Sequence, residues 1–234
     1  DMHDVEDLGL VKIDLLALRT LDQEFDTLQM SNETTGFISP RQDFCDEQTL
    51  DIFRRGETVG IFQMSSPGMK KMLRQMKISG LDDIAVANAL YRPGALAYID
   101  TFTRRRNGDE QFEYLHPDLK PILESTYGII LYQEQLIEIG KMAGIHNPDI
   151  LRKATGKKNI ELLNSVRAEL SDKLYARGWS VAQFEKLWSD MLDFARYSFN
   201  KSHAYAYGMI SYMTAKQKAH YPVEFYAGLC NSYM

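Results

Sequence analysis

A mostly helical body behind a short α/β beginning is the fold class the sequence predicts, and three observations predict it. Apolar residues recur at helical spacing through most of the chain, while alternation with period two is scarce. Start and stop signals fall one helix length apart: Ser66 with Pro67, Asn147 with Pro148, and Ser180 with Gln183 open apolar runs, and Gly36, Pro93 and Gly178 close them. The best strand candidate, residues 10 to 16, stands alone near the start.

Taken in order, that strand leads into a helix in which Leu21, Phe25 and Leu28 share a face, and Gly36 stops it. Residues 58 to 64, "TVGIFQM", read as a second short strand. The next helix is capped by Ser66 with Pro67 at its first position, and Met69, Met72, Leu73 and Met76 line one face, more readily as core than as a cofactor box. Lys70, Lys71, Arg74 and Lys77 fall mostly off that stripe. An apolar helix from Leu81 must end at Pro93 and Gly94. After a turn at Tyr127 and Gly128 the pattern stays helical, and Asn147 caps a further helix with Pro148 at its first position. Ile160, Leu163, Val166, Leu170 and Leu174 form one stripe, and Ser180 with Gln183 makes a capping box. A helix over residues 210 to 218 and another opened by Pro222 complete the chain.

With 234 residues, 44% of them hydrophobic, the chain is long enough for one large domain or two small ones. No apolar run reaches the roughly 20 residues that span a bilayer, and the start resembles no signal peptide, so an intracellular location is expected. Asp1 in place of an initial methionine suggests a piece of a longer protein. Cys45 and Cys230 form no CxxC, which points away from a disulfide framework or zinc knuckle. The net charge of −5 is unevenly placed: residues 1 to 50 carry 12 acids and 3 bases, whereas residues 152 to 218 carry 12 bases and 6 acids. The basic third suits a polyanion; solvated helix faces of differing sign are the alternative.

Four constellations are candidates for chemistry. Asp14 sits in the apolar run "LVKIDLLAL", where an acid is paired with a base such as Lys12, protonated, or bound to a cation. One carboxylate alone does not hold magnesium. In "LRKATGKK", Arg152, Lys153, Lys157 and Lys158 crowd four cations onto about two turns, which suits a triphosphate or nucleic-acid backbone; a solvated helix end is the alternative, and the Walker pattern is not met. In "YSFNKSHAYAYG", Asn200, Lys201, Ser202 and His203 lie among Tyr197, Phe199, Tyr205 and Tyr207. That mixture suits phosphates plus a stacked base, although a capped helix start with packed tyrosines uses the same letters. Arg92 precedes the forced turn of "ALYRPGAL", either aimed at an anion or closing a helix. "TYGIILYQEQL" contributes Tyr127, Tyr132, Gln133, Glu134 and Gln135, with a structural role for the amides as the alternative. No Ser/His/Asp or Cys/His nucleophilic set and no HExxH is present.

The ordered blocks "LVKIDLLALRTL", "GIFQMSSPGM", "ALYRPGAL", "HPDLKPILESTYGIILYQEQ", "LRKATGKK" and "FNKSHAYAYGMISYMTAKQKAHYPVEF" resemble, nearly end to end, the alpha subunit of bacterial DNA polymerase III, a C-family replicative polymerase. The resemblance is closer to the form without an inserted exonuclease. It implies that residues 1–35 are the end of a nucleotidyltransferase-like palm and residues 36–234 helical fingers. In that family three palm aspartates bind two magnesium ions; Asp14 matches the third, and the other two belong upstream. The resemblance implies that Arg152, Lys153, Lys157 and Lys158 contact the triphosphate of an incoming deoxynucleotide. Asn200, Lys201 and His203, with Tyr207 behind them, would shape its pocket. The implied activity is template-directed DNA synthesis by two-metal phosphoryl transfer, inactive in this piece alone, which is not expected to hold magnesium by itself. Implied partners are primer–template DNA, deoxynucleoside triphosphates, and the rest of the subunit and replisome, with the sliding clamp reached through regions outside this chain. A cytoplasmic location and no membrane are implied as well. A non-catalytic nucleotide-, DNA- or protein-binding module is the alternative, and a metal-dependent nuclease a third reading. Lys153 replaces a common arginine, Thr155 a methionine, Ser198 and Ala17 glycines, and Ala95 a proline.

Overall fold

The computed structural model describes residues 4–5, 8–10, 13, 15, 17–32, 43–156 and 159–233. Among the described residues the fold is mainly α-helical, and its one β interaction is an isolated parallel bridge between Tyr132 and Phe199. The helices are α1 (Arg19–Ser31), α2 (Glu47–Arg55), α3 (Pro67–Met76), α4 (Leu81–Leu90), α5 (Ile99–Asn107), the short α6 (Lys120–Leu123), α7 (Gln133–Ala143), α8 (Asp149–Gly156), α9 (Ile160–Ser165), α10 (Arg167–Ala176), α11 (Val181–Phe194), α12 (Lys201–His220) and α13 (Pro222–Asn231).

Local chemistry accounts for most boundaries. The Asp46 side chain accepts from the Thr49 amide to start α2, and Gly56, at φ 65°, ends it by donating to the Ile52 and Phe53 carbonyls. Ser66 caps α3 with Pro67 behind it, and Met69, Met72, Leu73 and Met76 are buried, as expected from their spacing. Ser180 and Gln183 form the reciprocal capping box of α11. Helix α4 is buried from Asp83 to Leu90, so it shows no polar face and serves as a central post.

Two apolar clusters result. One joins α2, α3, α4 and α12 with Phe225 of α13, around Phe53, Leu73, Leu90 and Tyr212. The other joins α7 to α11, around Leu136, Leu151, Leu170, Met191 and Phe194. Helix α12 lies along α4 at Gly208, where a Cβ would stand 3.3 Å from Leu81 Cδ1 and 3.4 Å from the Ala85 backbone nitrogen. Both residues of the Tyr132–Phe199 bridge belong to the first cluster.

Several expectations are corrected. Residues 58–64 form turns and not a strand, because Gly60 and Gln63 take positive φ of 78° and 56° and the Thr58 hydroxyl donates to the Met64 carbonyl. The expected stripe from Ile160 to Leu174 breaks at Val166 into α9 and α10, leaving Ile160 exposed. Helix α12 begins at Lys201, well before residue 210, since Asn200 caps it. In the expected strand over residues 10–16, Leu10, Ile13 and Leu15 are exposed and belong to no strand, while Asp14 lies outside the described residues. Much of the expected α/β beginning thus lies outside the described residues.

Helix α1 is turned opposite to expectation. Leu21 and Phe25 are exposed, and Gln23, Glu24 and Thr27 are buried. The reason is close approach to α13: a Cβ on Gly228 would stand 2.7 Å from Thr27 Oγ1 and 2.9 Å from the Gln23 carbonyl, so the contact is nearly backbone to backbone.

Candidate nucleotide and phosphate site

The start of α12 is held by a carboxylate from α7. Asn200 accepts from the His203 amide (2.8 Å) and donates through Nδ2 to Glu134 Oε1 (2.9 Å), while the Lys201 amide donates to Glu134 Oε2 (2.8 Å). Glu134 thus sits in the first turn of its own helix and at the N-terminus of α12, where backbone N–H groups favour negative charge. Alongside, the Gln133 amide donates to the Phe199 carbonyl (2.8 Å), and Gln133 Nε2 donates to Ser198 Oγ (3.1 Å). The Ser198 hydroxyl donates in turn to the Thr155 carbonyl (3.2 Å), tying in the end of α8. Ser198 supplies this link with its side chain.

From that anchor a stack of rings rises along α12. The Arg92 guanidinium carbon lies 3.9 Å from the Phe199 ring centre, Phe199 meets His203 edge-on at 5.3 Å, and His203 stacks on Tyr207 at 4.0 Å. Phe62 closes the row, 5.3 Å from Tyr207. Arg92 is aimed by the turn after α4: Gly94 takes φ 98° against Tyr197, whose Cβ would stand 3.0 Å from a side chain at position 94. Partial burial pulls the Arg92 guanidinium down from its ordinary value, which still leaves it charged. Burial, and secondarily the Arg92 charge, push the His203 imidazole down, so it is neutral at pH 7. Lys201 Nζ hangs 5.8 Å from the rings of Tyr132 and Tyr205. Neither Arg92 nor Lys201 has a side-chain ion pair or hydrogen bond among the described residues; Arg92 packs on the Phe199–His203–Tyr207 row, and Lys201 on Tyr132 and Tyr205, about half a turn away around α12.

The structure thus sets Arg92, His203 and Tyr207 in one row with Phe199, with Asn200 capping the helix that carries the rings and Lys201 turned to Tyr132 and Tyr205. Arg152 and Lys153 stand differently: both turn onto Asp149 of their own helix, at 2.6 and 3.3 Å, with Arg152 half-buried and Lys153 exposed. They are near enough that the Glu134 charge adds to the Asp149 hydrogen bond in raising the Arg152 guanidinium. Lys157, Lys158 and Asp14 lie outside the described residues. Phe62 and Glu134 were not legible as site residues. The glutamate's only sequence signal was its place in a first helical turn, and Phe62 lay in a stretch read as a strand. Among the described residues no group of three or more His, Cys, Asp or Glu is placed to hold a metal ion.

A family model described as the bacterial DNA polymerase III alpha subunit finger domain matches residues 17–178. The DNA polymerase III subunit alpha of Aquifex aeolicus is 42% identical over 97% of this chain and 20% of its own length. That of Thermus aquaticus is 41% identical over 98% of this chain and 20% of its own, and that of Bacillus subtilis 40% identical over 99% and 21%. The chain spans about a fifth of the length of these relatives. A match covering residues 17–178 takes in Arg92, Glu134 and α8, and the likeness to the relatives continues through α12. The chain belongs to the finger-domain family of the bacterial DNA polymerase III alpha subunit.

Proposed function

We propose that this chain is the nucleotide-binding fingers of a template-directed DNA polymerase and that the start of α12 receives the incoming deoxynucleoside triphosphate. The observation that carries the reading is Arg92, without an ion pair among the described residues, packed on the first ring of the Phe199–His203–Tyr207 stack, with a second unpaired cation, Lys201, over Tyr132 and Tyr205 at the same helix start. Cations bind phosphate oxygens, and the rings offer a face to a base or sugar. A neutral His203 donates or accepts one hydrogen bond without repelling Arg92. Arg152 and Lys153, with Lys157 and Lys158 after them, reach the triphosphate by exchanging Asp149 for the incoming anion.

In this reading residues 1–35 end a palm and residues 36–234 are fingers, within a longer cytoplasmic subunit that meets primer–template DNA and the replisome. No helix among the described residues is long and apolar enough to cross a membrane. The described side chains do not form a magnesium site. Asp14 would be one ligand and two further carboxylates would come from elsewhere in the subunit. Magnesium bound there would activate the primer hydroxyl and neutralise the leaving pyrophosphate.

Calorimetric titration with dATP tests the reading. The wild-type chain is expected to bind, and Arg92→Ala and Lys201→Ala each to weaken binding about tenfold to a hundredfold, the worth of a charged hydrogen bond. Equal affinity in both variants would remove the proposed site. In a magnesium-supplemented primer-extension assay the chain alone is expected to add no nucleotide; template-dependent incorporation would show that it carries a complete metal site.

A further inference from the structure

Asp149 stands at the start of α8 and holds two of the cations expected to meet the triphosphate. Its carboxylate takes Arg152 side-on: Arg152 Nε donates to Oδ1 (2.6 Å) and Nη2 to Oδ2 (3.2 Å). Lys153 Nζ lies 3.3 Å from the same Oδ2. Residues three and four apart face one another on a helix, so one turn of α8 brings all three together. The two parallel Arg152 hydrogen bonds have the fork geometry in which a guanidinium grips a phosphate.

Other paired arginines are also built into the fold. Arg54 donates to the Ile78 carbonyl, Arg105 to the Tyr127 carbonyl and Arg106 to the Met76 carbonyl, besides their carboxylates. Among the described residues the side chains of Arg152 and Lys153 have no polar partner but Asp149. The Asp149 and Arg152 side chains are 41% and 40% exposed and that of Lys153 55%, so dissolved anions reach the pair and can replace the carboxylate. The Arg152 hydrogen bond, and the Lys153 bond after it, hold the Asp149 carboxyl below its ordinary range, which keeps it ionised at neutral pH. Helix α8 is fastened to the start of α12 one turn further on, through Ser198 and the Thr155 carbonyl (3.2 Å).

Resting on the nucleotide reading of this region, we propose that Asp149 is an affinity-determining residue: a resident anion that competes with nucleotide phosphates for Arg152 and Lys153. In the empty chain the carboxylate takes the place of a phosphate. Binding exchanges one anion for another, and breaking the internal pair offsets part of what the new contact gains. When the phosphates leave, the carboxylate closes back on the two side chains, which favours release of pyrophosphate.

Calorimetric titration of the full chain with sodium tripolyphosphate, and separately with dATP, is the test. Asp149→Asn keeps the shape and removes the charge, and it is expected to tighten both ligands about threefold to fivefold, the scale of an exposed ion pair. Two controls separate this from a general change of charge. Asp51→Asn frees Arg55 from a pair of the same kind (2.9 Å) on α2, in the other apolar cluster, and is expected to keep wild-type affinities. In a chain already carrying Arg152→Ala and Lys153→Ala, adding Asp149→Asn is expected to change nothing, because the groups it acts through are gone. Circular dichroism checks that each variant folds. No gain in Asp149→Asn, an absence of any binding included, would overturn the proposal. So would an equal gain in Asp51→Asn, or a gain that persists without the two cations. A chain whose tripolyphosphate binding tightens in Asp149→Asn, while its dATP binding ignores Arg92→Ala, would keep Asp149 as the competing anion and sink the nucleotide pocket alone.

Discussion

Arg106→Met is expected to lower the unfolding free energy by about 3–5 kcal/mol, because it strands a buried carboxylate. Arg106 Nε donates to Asp83 Oδ1 (2.7 Å) and its terminal nitrogens reach Asp83 Oδ2, the Met76 carbonyl and Ser79 Oγ. Asp83 Oδ2 also accepts from the Ser79 amide (2.7 Å) and hydroxyl (2.8 Å). The two side chains are only 11% and 12% exposed, so solvent neither screens the pair nor replaces a lost partner. The arrangement ties α5 to the end of α3 and the start of α4. Removing the arginine leaves a charged group inside with only two neutral donors. Removing both partners, Arg106→Met with Asp83→Leu, is expected to recover most of the loss, since a buried pair is worth little against an apolar replacement of similar size. Urea denaturation of the two single variants and the double variant measures this. A loss under about 1 kcal/mol for Arg106→Met would mean that Asp83 is solvated through another route.

A good part of the fold and some of the site could be read from the sequence, for identifiable reasons. Caps and methionine spacing located α3 and α11, because a capping side chain acts within three residues of its target, and a proline at the first helical position located α13. Arg92, Asn200, Lys201, His203 and Tyr207 stand out as candidates from the types of residue they are, and the fold sets Arg92, His203 and Tyr207 in one row. What was illegible depends on partners distant in sequence. The start of α12 is defined by Asn200 but fixed by Glu134, 66 residues away. Pairing within α8 diverts Arg152 and Lys153 onto Asp149, so four cations in a row did not mean four free cations. Residues 58–64 have strand-like composition, yet Gly60 must take a positive φ to pass beneath Phe225 and Leu229. Amphipathic spacing also misled in α1, where contact with Gly228 selects for small size and close approach and turns Leu21 and Phe25 outward.

That inverted helix has a measurable consequence at Glu24. Its carboxyl is buried in α1, Oε1 has no hydrogen-bond partner, and burial pushes it from an ordinary 4.5 up to about 8. It is therefore largely protonated in the folded chain at neutral pH and ionised in the unfolded one. Folding takes up a proton between those values, so the unfolded state binds fewer protons and stability falls as pH rises. The contribution is complete below about pH 4.5, declines through the interval and is lost once pH passes about 8. At 1.36 kcal/mol per pH unit the span amounts to at most about 5 kcal/mol. Gln217, which donates from Nε2 to the Glu24 carbonyl (3.1 Å), also has a buried oxygen without a partner, so the surroundings offer an acceptor and no cation. Glu24→Gln keeps the shape and removes the ionisation. Its stability is expected to equal that of the wild type near pH 4.5 and to exceed it by a few kcal/mol at pH 8.5, with the gap opening progressively between. Denaturant titrations of both chains across that range isolate this group, because every other titrating residue is common to the two. A gap that stays constant with pH would place the Glu24 carboxylate in contact with water or a cation in the folded chain.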